Sequence, residues 1–166
     1  PAAHGANRTG RIFTGDRSGD WLYRALHKAG FANQPTSTDR DDGLRPREVF
    51  VSAAVRCAPP ANKPTAEEFA NCRPYLVQEM RLLRRLRVIV GLGRIAFEAA
   101  WLAGAEALEY KHSPRPKFAH LAEVELPGGR VLLGSYHPSQ QNTFTGKLTE
   151  PMFDAVFRRA RRLMLL

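Results

Sequence analysis

At 166 residues, 43% hydrophobic and 25% charged, the chain has the length and apolar share of one folded domain, which excludes wholesale disorder. Lys and Arg number 25 against 16 Asp and Glu, a formal charge of +9 that favours a polyanionic partner such as nucleic acid over a small neutral ligand, with a solvated basic face as the bland alternative. No apolar run approaches the roughly 20 residues that span a bilayer and no charged-then-apolar leader opens the sequence, so it reads as cytoplasmic without membrane contact.

Pro1-Ala2-Ala3-His4-Gly5 has a turn-and-loop composition, and a strand is expected upstream of it. The spacing of apolar residues then predicts a short helix over 21–29, with Asp20 as its N-cap and Gly30 past its end. A polar stretch over 31–47 leads into Val49-Phe50-Val51-Ser52-Ala53-Ala54-Val55, which reads as a buried strand. Thr65 and Glu68 form a capping box for a long amphipathic helix that carries Cys72 in its second turn. Arg87 to Val90 makes a second buried strand, followed by Gly91-Leu92-Gly93 and a helix through Phe97 and Trp101. After a proline-broken basic stretch, a hairpin turns at Pro127-Gly128-Gly129 and returns over 131–136. The last element is a helix from Thr149 with Pro151 in its first turn. Strand, tight turn and helix in this alternation indicate a parallel α/β sheet, whose ligands bind beyond the carboxyl ends of the strands.

That rule singles out the loops after Val55, Val90 and Tyr136. His137 follows a buried strand, and a neutral imidazole there can donate to an oxygen that becomes negative as a bond breaks. A structural histidine is the alternative. In Arg11-Ile12-Phe13-Thr14-Gly15-Asp16 an aromatic ring and a carboxylate share one glycine-punctuated loop, suited to stacking on an extruded base and orienting a water, although Phe13 also suits a core and Asp16 a helix cap. Gly91-Leu92-Gly93-Arg94-Ile95-Ala96 fits the dinucleotide pattern G-x-G-x-x-A, but no strand ending in Asp or Glu follows at the expected distance. Close packing of helix on strand is its alternative reading. Cys57 and Cys72 are too few for a disulfide scaffold, and two thiolates fall short of the usual four metal ligands.

Four ordered segments, Pro1 to Arg11, Phe13-Thr14-Gly15-Asp16, Ala53 to Pro60 with Asn62-Lys63-Pro64, and Tyr136-His137-Pro138-Ser139-Gln140-Gln141-Asn142-Thr143, resemble family-five uracil-DNA glycosylases. The resemblance implies a three-layer α/β/α sandwich around a central, mainly parallel four-stranded sheet with its first strand truncated, so that residues 1–166 are one glycosylase domain lacking its N-terminal part. It implies a monomer in the bacterial cytoplasm, at the nucleoid, that removes uracil and other deaminated bases such as hypoxanthine from double-stranded DNA. It also implies a 4Fe-4S cluster, with Cys57 and Cys72 as the second pair of ligands and the first pair upstream. Family-four relatives carry an Asn where this chain has Ala53, so relaxed base choice is expected.

On this reading the catalytic residues are Asp16, His137 and Asn62. Phe13 stacks on the flipped base, Pro1, Ala2, His4 and Gly5 wall the pocket, and Ala53 and Asn142 face the base. Ser139, Gln140, Gln141 and Asn142 wedge into the gap left by the base, while Arg56, Lys63, Lys117 and Lys147 contact phosphates. The rival functions are a DNA-binding module on the same fold that cleaves nothing and, less favoured, an oxidoreductase using a dinucleotide.

Overall fold

The computed structural model describes residues 3–166. Its sheet has three strands, β1 (Val88–Leu92), β2 (Glu123–Leu126) and β3 (Arg130–Ser135), in the order β1-β3-β2. β1 runs parallel to β3, with Val88 opposite Val131 and Leu92 opposite Ser135, and β2 closes the predicted hairpin antiparallel to β3. Helices α1 (His4–Thr9), α2 (Arg17–Lys28), α3 (Ala66–Leu82), α4 (Arg94–Leu108), α5 (Gln140–Phe144) and α6 (Glu150–Met164), with a 3-10 turn over Pro60–Asn62, complete the order.

The period-2 alternation of the strands sorts their side chains into two cores. Val88, Val90, Leu92 and Leu133 pack against Leu22 and Leu26 of α2 and Phe153, Val156 and Phe157 of α6. Ile89, Leu132 and Val124 face the other way, onto Val77 and Met80 of α3 and Phe97, Ala100 and Trp101 of α4. The result is the expected α/β/α sandwich.

Local signals account for most boundaries. The Thr65 hydroxyl accepts the Glu68 N–H at 3.1 Å while the Glu68 carboxylate accepts the Thr65 N–H at 2.7 Å, the reciprocal box predicted for α3. Thr149 caps α6, with proline in its first turn as expected.

Three expectations need correction. Residues 49–55 form no strand, because a ladder requires a neighbour and no strand among the described residues lies beside them; the sheet among the described residues has three strands, one pair parallel and one antiparallel, where four mainly parallel strands were expected. Burial of Ala53 and Val55 produces the strand-like pattern without the pairing. The first predicted helix starts a turn earlier than expected, capped by Asp16 rather than Asp20, since the Asp16 carboxylate accepts the Gly19 N–H at 2.8 Å. Two stretches read as loops are helical, His4–Thr9 and Gln140–Phe144.

Candidate functional site

His137 leaves the carboxyl end of β3 next to the carboxyl end of β1, as the parallel pairing requires. A Cβ at Gly93 would lie 3.1 Å from the His137 Cβ, and Gly93 has φ 90° and ψ 164°, a conformation essentially confined to glycine. Gly91 similarly admits the backbone of Phe97, with 2.6 Å between the position of a Cβ and the Phe97 Cα. The glycines of the dinucleotide-like pattern thus serve close packing and the approach of α4 to the His137 loop.

The loop is held from both sides. The Asn142 side-chain amide donates to the His137 carbonyl at 2.9 Å, and the Ser139 hydroxyl caps α5 by accepting the Asn142 N–H at 3.3 Å. The Tyr136 N–H donates to His120 Nδ1 at 3.1 Å, which leaves the proton of neutral His120 on Nε2, 3.3 Å from the Met152 carbonyl. Burial is the largest of the causes that push His137 down to about 4, while the nearby Asp16 carboxylate pulls the other way. At neutral pH the ring is uncharged and still carries one N–H donor.

Phe13 faces it, with ring centroids 5.9 Å apart and planes at 32°. Phe13 adopts a left-handed φ of 56°, uncommon for a non-glycine residue, and the strained backbone turns its ring toward His137. Two glycines permit this loop to sit low. A Cβ at Gly5 would stand 2.5 Å from the Thr14 carbonyl oxygen, and one at Gly19 would stand 1.8 Å from that of Phe13. One oxygen of Asp16 caps α2, and its other has no hydrogen-bond partner among the described residues. Phe13 and His137 thus face one another, with the Asp16 carboxylate close enough to act on the charge of the imidazole.

The remaining predicted residues are less concentrated. Pro1 and Ala2 lie outside the described residues. His4 is exposed at the start of α1, while Gly5 is buried against the Phe13 loop. Ala53 is buried, whereas Asn62 is exposed at the end of a short 3-10 turn with φ 55°, and no hydrogen bond or ring contact among the described residues ties it to His137. The guanidinium of Arg56 is engaged by Glu79 and lies 4.7 Å from the centroid of Tyr75, which offsets part of its charge. Gln140, Gln141, Lys63 and Lys147 are exposed, and Lys147 Nζ sits 5.0 Å from the Tyr136 ring centroid. Sequence reasoning missed Phe144. It closes α5 with 67% of its surface exposed and the Arg17 guanidinium 4.6 Å from its ring centroid. An aromatic in a polar segment next to the His137 motif was the available signal.

The cysteines come to one locality. The Arg56 N–H donates to Cys72 Sγ at 3.5 Å, with Cys57 the next residue in the chain. Cys57 Sγ lies 3.9 Å from Glu68 of the capping box. A backbone N–H aimed at sulfur suits a thiolate ligand of an iron–sulfur cluster. No group of three or more metal-ligating side chains occurs among the described residues. No helix among the described residues is long and apolar enough to cross a membrane.

Comparison with known proteins shows the family. The model of the uracil DNA glycosylase superfamily matches residues 1–161. The chain is similar to the type-5 uracil-DNA glycosylase of Mycobacterium bovis, 54% identical over 165 residues covering 98% of this chain and 60% of the relative. The Thermus thermophilus type-5 protein is 53% identical over 98% of this chain and 72% of its own length. A type-4 protein from Archaeoglobus fulgidus is 37% identical over 58% of this chain and 48% of its own length. The chain thus spans about 60% of the length of the mycobacterial relative. It belongs to the uracil DNA glycosylase superfamily, in the type-5 family.

Proposed function

We propose that residues 1–166 are one glycosylase domain that hydrolyses the bond between a deaminated base and its sugar in double-stranded DNA, with uracil as substrate and hypoxanthine as a second one. The observation that carries the proposal is the uncharged His137 held opposite Phe13 and beside Asp16.

An extruded base stacks on Phe13, next to the backbone of Gly5 and the wall begun by His4. As the bond from the base nitrogen to C1′ lengthens, its electron pair moves into the base, and the His137 N–H donates to the carbonyl oxygen where negative charge collects. Donors of this kind are worth about 10²–10³ in rate. The unshared oxygen of Asp16 orients a water and favours the cationic sugar. The water oxygen bonds to C1′, its proton passes to the carboxylate, and the base leaves as an anion that is then protonated. Asn62 is a second candidate for contact with that water.

Ala53 offers the pocket no hydrogen bond, which supports tolerance of more than one base. Asn142 contributes by holding the His137 carbonyl. Gln140, Gln141 and Phe144 enter the gap left by the base, and Lys63, Lys117, Lys147 and the paired Arg56 lie along the phosphates. Cys57 and Cys72 would hold one side of a 4Fe-4S cluster, which when bound would tie the 56–72 segment together. The domain acts as a monomer at the bacterial nucleoid.

A labelled duplex with one uracil, incubated with the protein and treated with alkali, tests the proposal. Strand scission that disappears in His137→Ala is expected. Binding without scission on uracil and hypoxanthine duplexes alike would instead identify a DNA-binding module that cleaves nothing.

A further inference from the structure

The left-handed backbone of Phe13 is costly, and something must hold it. Its φ is set by the orientation of the Ile12–Phe13 peptide, and the Ile12 carbonyl accepts two hydrogen bonds, from the Tyr23 hydroxyl at 3.0 Å and from the Thr14 hydroxyl at 3.4 Å. Thr14 Oγ1 lies 2.6 Å from Ser37 Oγ, and both side chains are buried. Ser37 in turn accepts from Arg11 Nη1 at 2.9 Å, and the same nitrogen donates to Asp42 Oδ1 at 2.9 Å. Each hydroxyl has one proton to give. With Thr14 donating to Ile12, Ser37 must donate to Thr14, and the chain of bonds runs in one direction from Arg11 through Ser37 and Thr14 to the peptide that carries Phe13.

Asp42 anchors the start of this chain. Its two oxygens also accept the N–H groups of Thr38 at 2.7 Å and Leu44 at 2.9 Å. Burial opposes its ionisation, but the Leu44 and Thr38 amides and the Arg11 guanidinium outweigh it and hold the carboxyl at about 2. The Arg40 carbonyl fixes the other guanidinium nitrogen at 3.0 Å. The segment that supplies Ser37, Arg40 and Asp42 contains no regular helix or strand, so the network accounts for its order near the site.

We infer that Ser37 and Asp42 are positioning residues, whose hydrogen-bond relay through Arg11 and Thr14 sets the angle of the Phe13 ring against His137. As a brace on Phe13 the relay stands alone; as a determinant of base stacking it rests on the glycosylase reading.

A double-mutant cycle of Ser37→Ala with Phe13→Ala, read in two ways on the whole protein, tests it. The first readout is the imidazole proton resonances of His137, which feel the ring current of Phe13. Ser37→Ala is expected to shift them in the unsubstituted protein and to leave them unmoved in the Phe13→Ala background. The second is single-turnover excision of uracil. Ser37→Ala is expected to slow it at least about tenfold, set against the roughly 10²-fold that a 1 Å misplacement costs, to add nothing once Phe13 is gone, and to be rescued by Ser37→Thr. A resonance shift of equal size in both backgrounds, or no shift in either, overturns the relay whatever the activity. Coupled shifts in a protein that excises no uracil would leave the brace standing and overturn the glycosylase reading. Should Ser37→Ala not fold, Tyr23→Phe removes the other bond to the Ile12 carbonyl, keeps the packed ring, and carries the same expectations.

Discussion

Replacing His137 by Asn should flatten the acid side of the stability profile. In the folded protein its pKa is about 4, against 6.5 for an exposed imidazole. As pH falls below 6.5 the unfolded chain takes up the proton first, so stability is lost between 6.5 and 4 and changes no further below that window through this group. The full difference corresponds to about 3 kcal/mol, and the part expressed at pH 5 is about 2 kcal/mol relative to pH 8. Urea midpoints at pH 8 and pH 5, at high ionic strength to screen surface pairs, give the change for each protein. His120 is also pushed down by burial, in the same direction, but it is present in both proteins and cancels in the comparison. The substituted amide has no proton to take up, so the His137→Asn variant should lose about 2 kcal/mol less than the unsubstituted protein between these pH values. Equal losses would refute the claim that the partly buried His137 is neutral, and with it the donor role proposed for the ring.

Gly93→Ala should cost about 1–3 kcal/mol in urea unfolding, because alanine must adopt a conformation kept for glycine while its methyl presses on His137 at 3.1 Å. Excision should fall with it, and a variant as stable as the unsubstituted protein would show that the approach of α4 to the His137 loop is relaxed. Phe144→Ala should leave stability within about 0.5 kcal/mol, since the ring is exposed, yet weaken binding to a uracil duplex about tenfold if it stacks in the vacated gap. Unchanged anisotropy titrations would assign that ring to the protein surface.

Much of the framework follows from interactions that close within one or two turns of chain. The Thr65 and Glu68 box, the turn at Pro127 to Gly129 and the proline-started α6 are complete as local units, so their residues alone fix them. The placement of His137 follows from a more general rule, that a strand in an α/β sheet ends at the ligand crevice. Motif order brings Phe13 and Asp16 into view as well. It carries no sign that Asn142 turns inward to the His137 carbonyl.

Periodicity, capping and motif order are written along the chain, and they suffice for the layered α/β class, the starts of α3, α4 and α6, the hairpin and the family. Folding had to settle whether residues 49–55 have a strand to pair with, that Arg56 meets Glu79, and that Ser37 and Asp42 reach Arg11 across 26 and 31 residues of chain. A hydrogen bond between distant segments has no local signature. Any of several polar residues in the 31–47 stretch could have made it, and the packing of that stretch against the Phe13 loop chose which did.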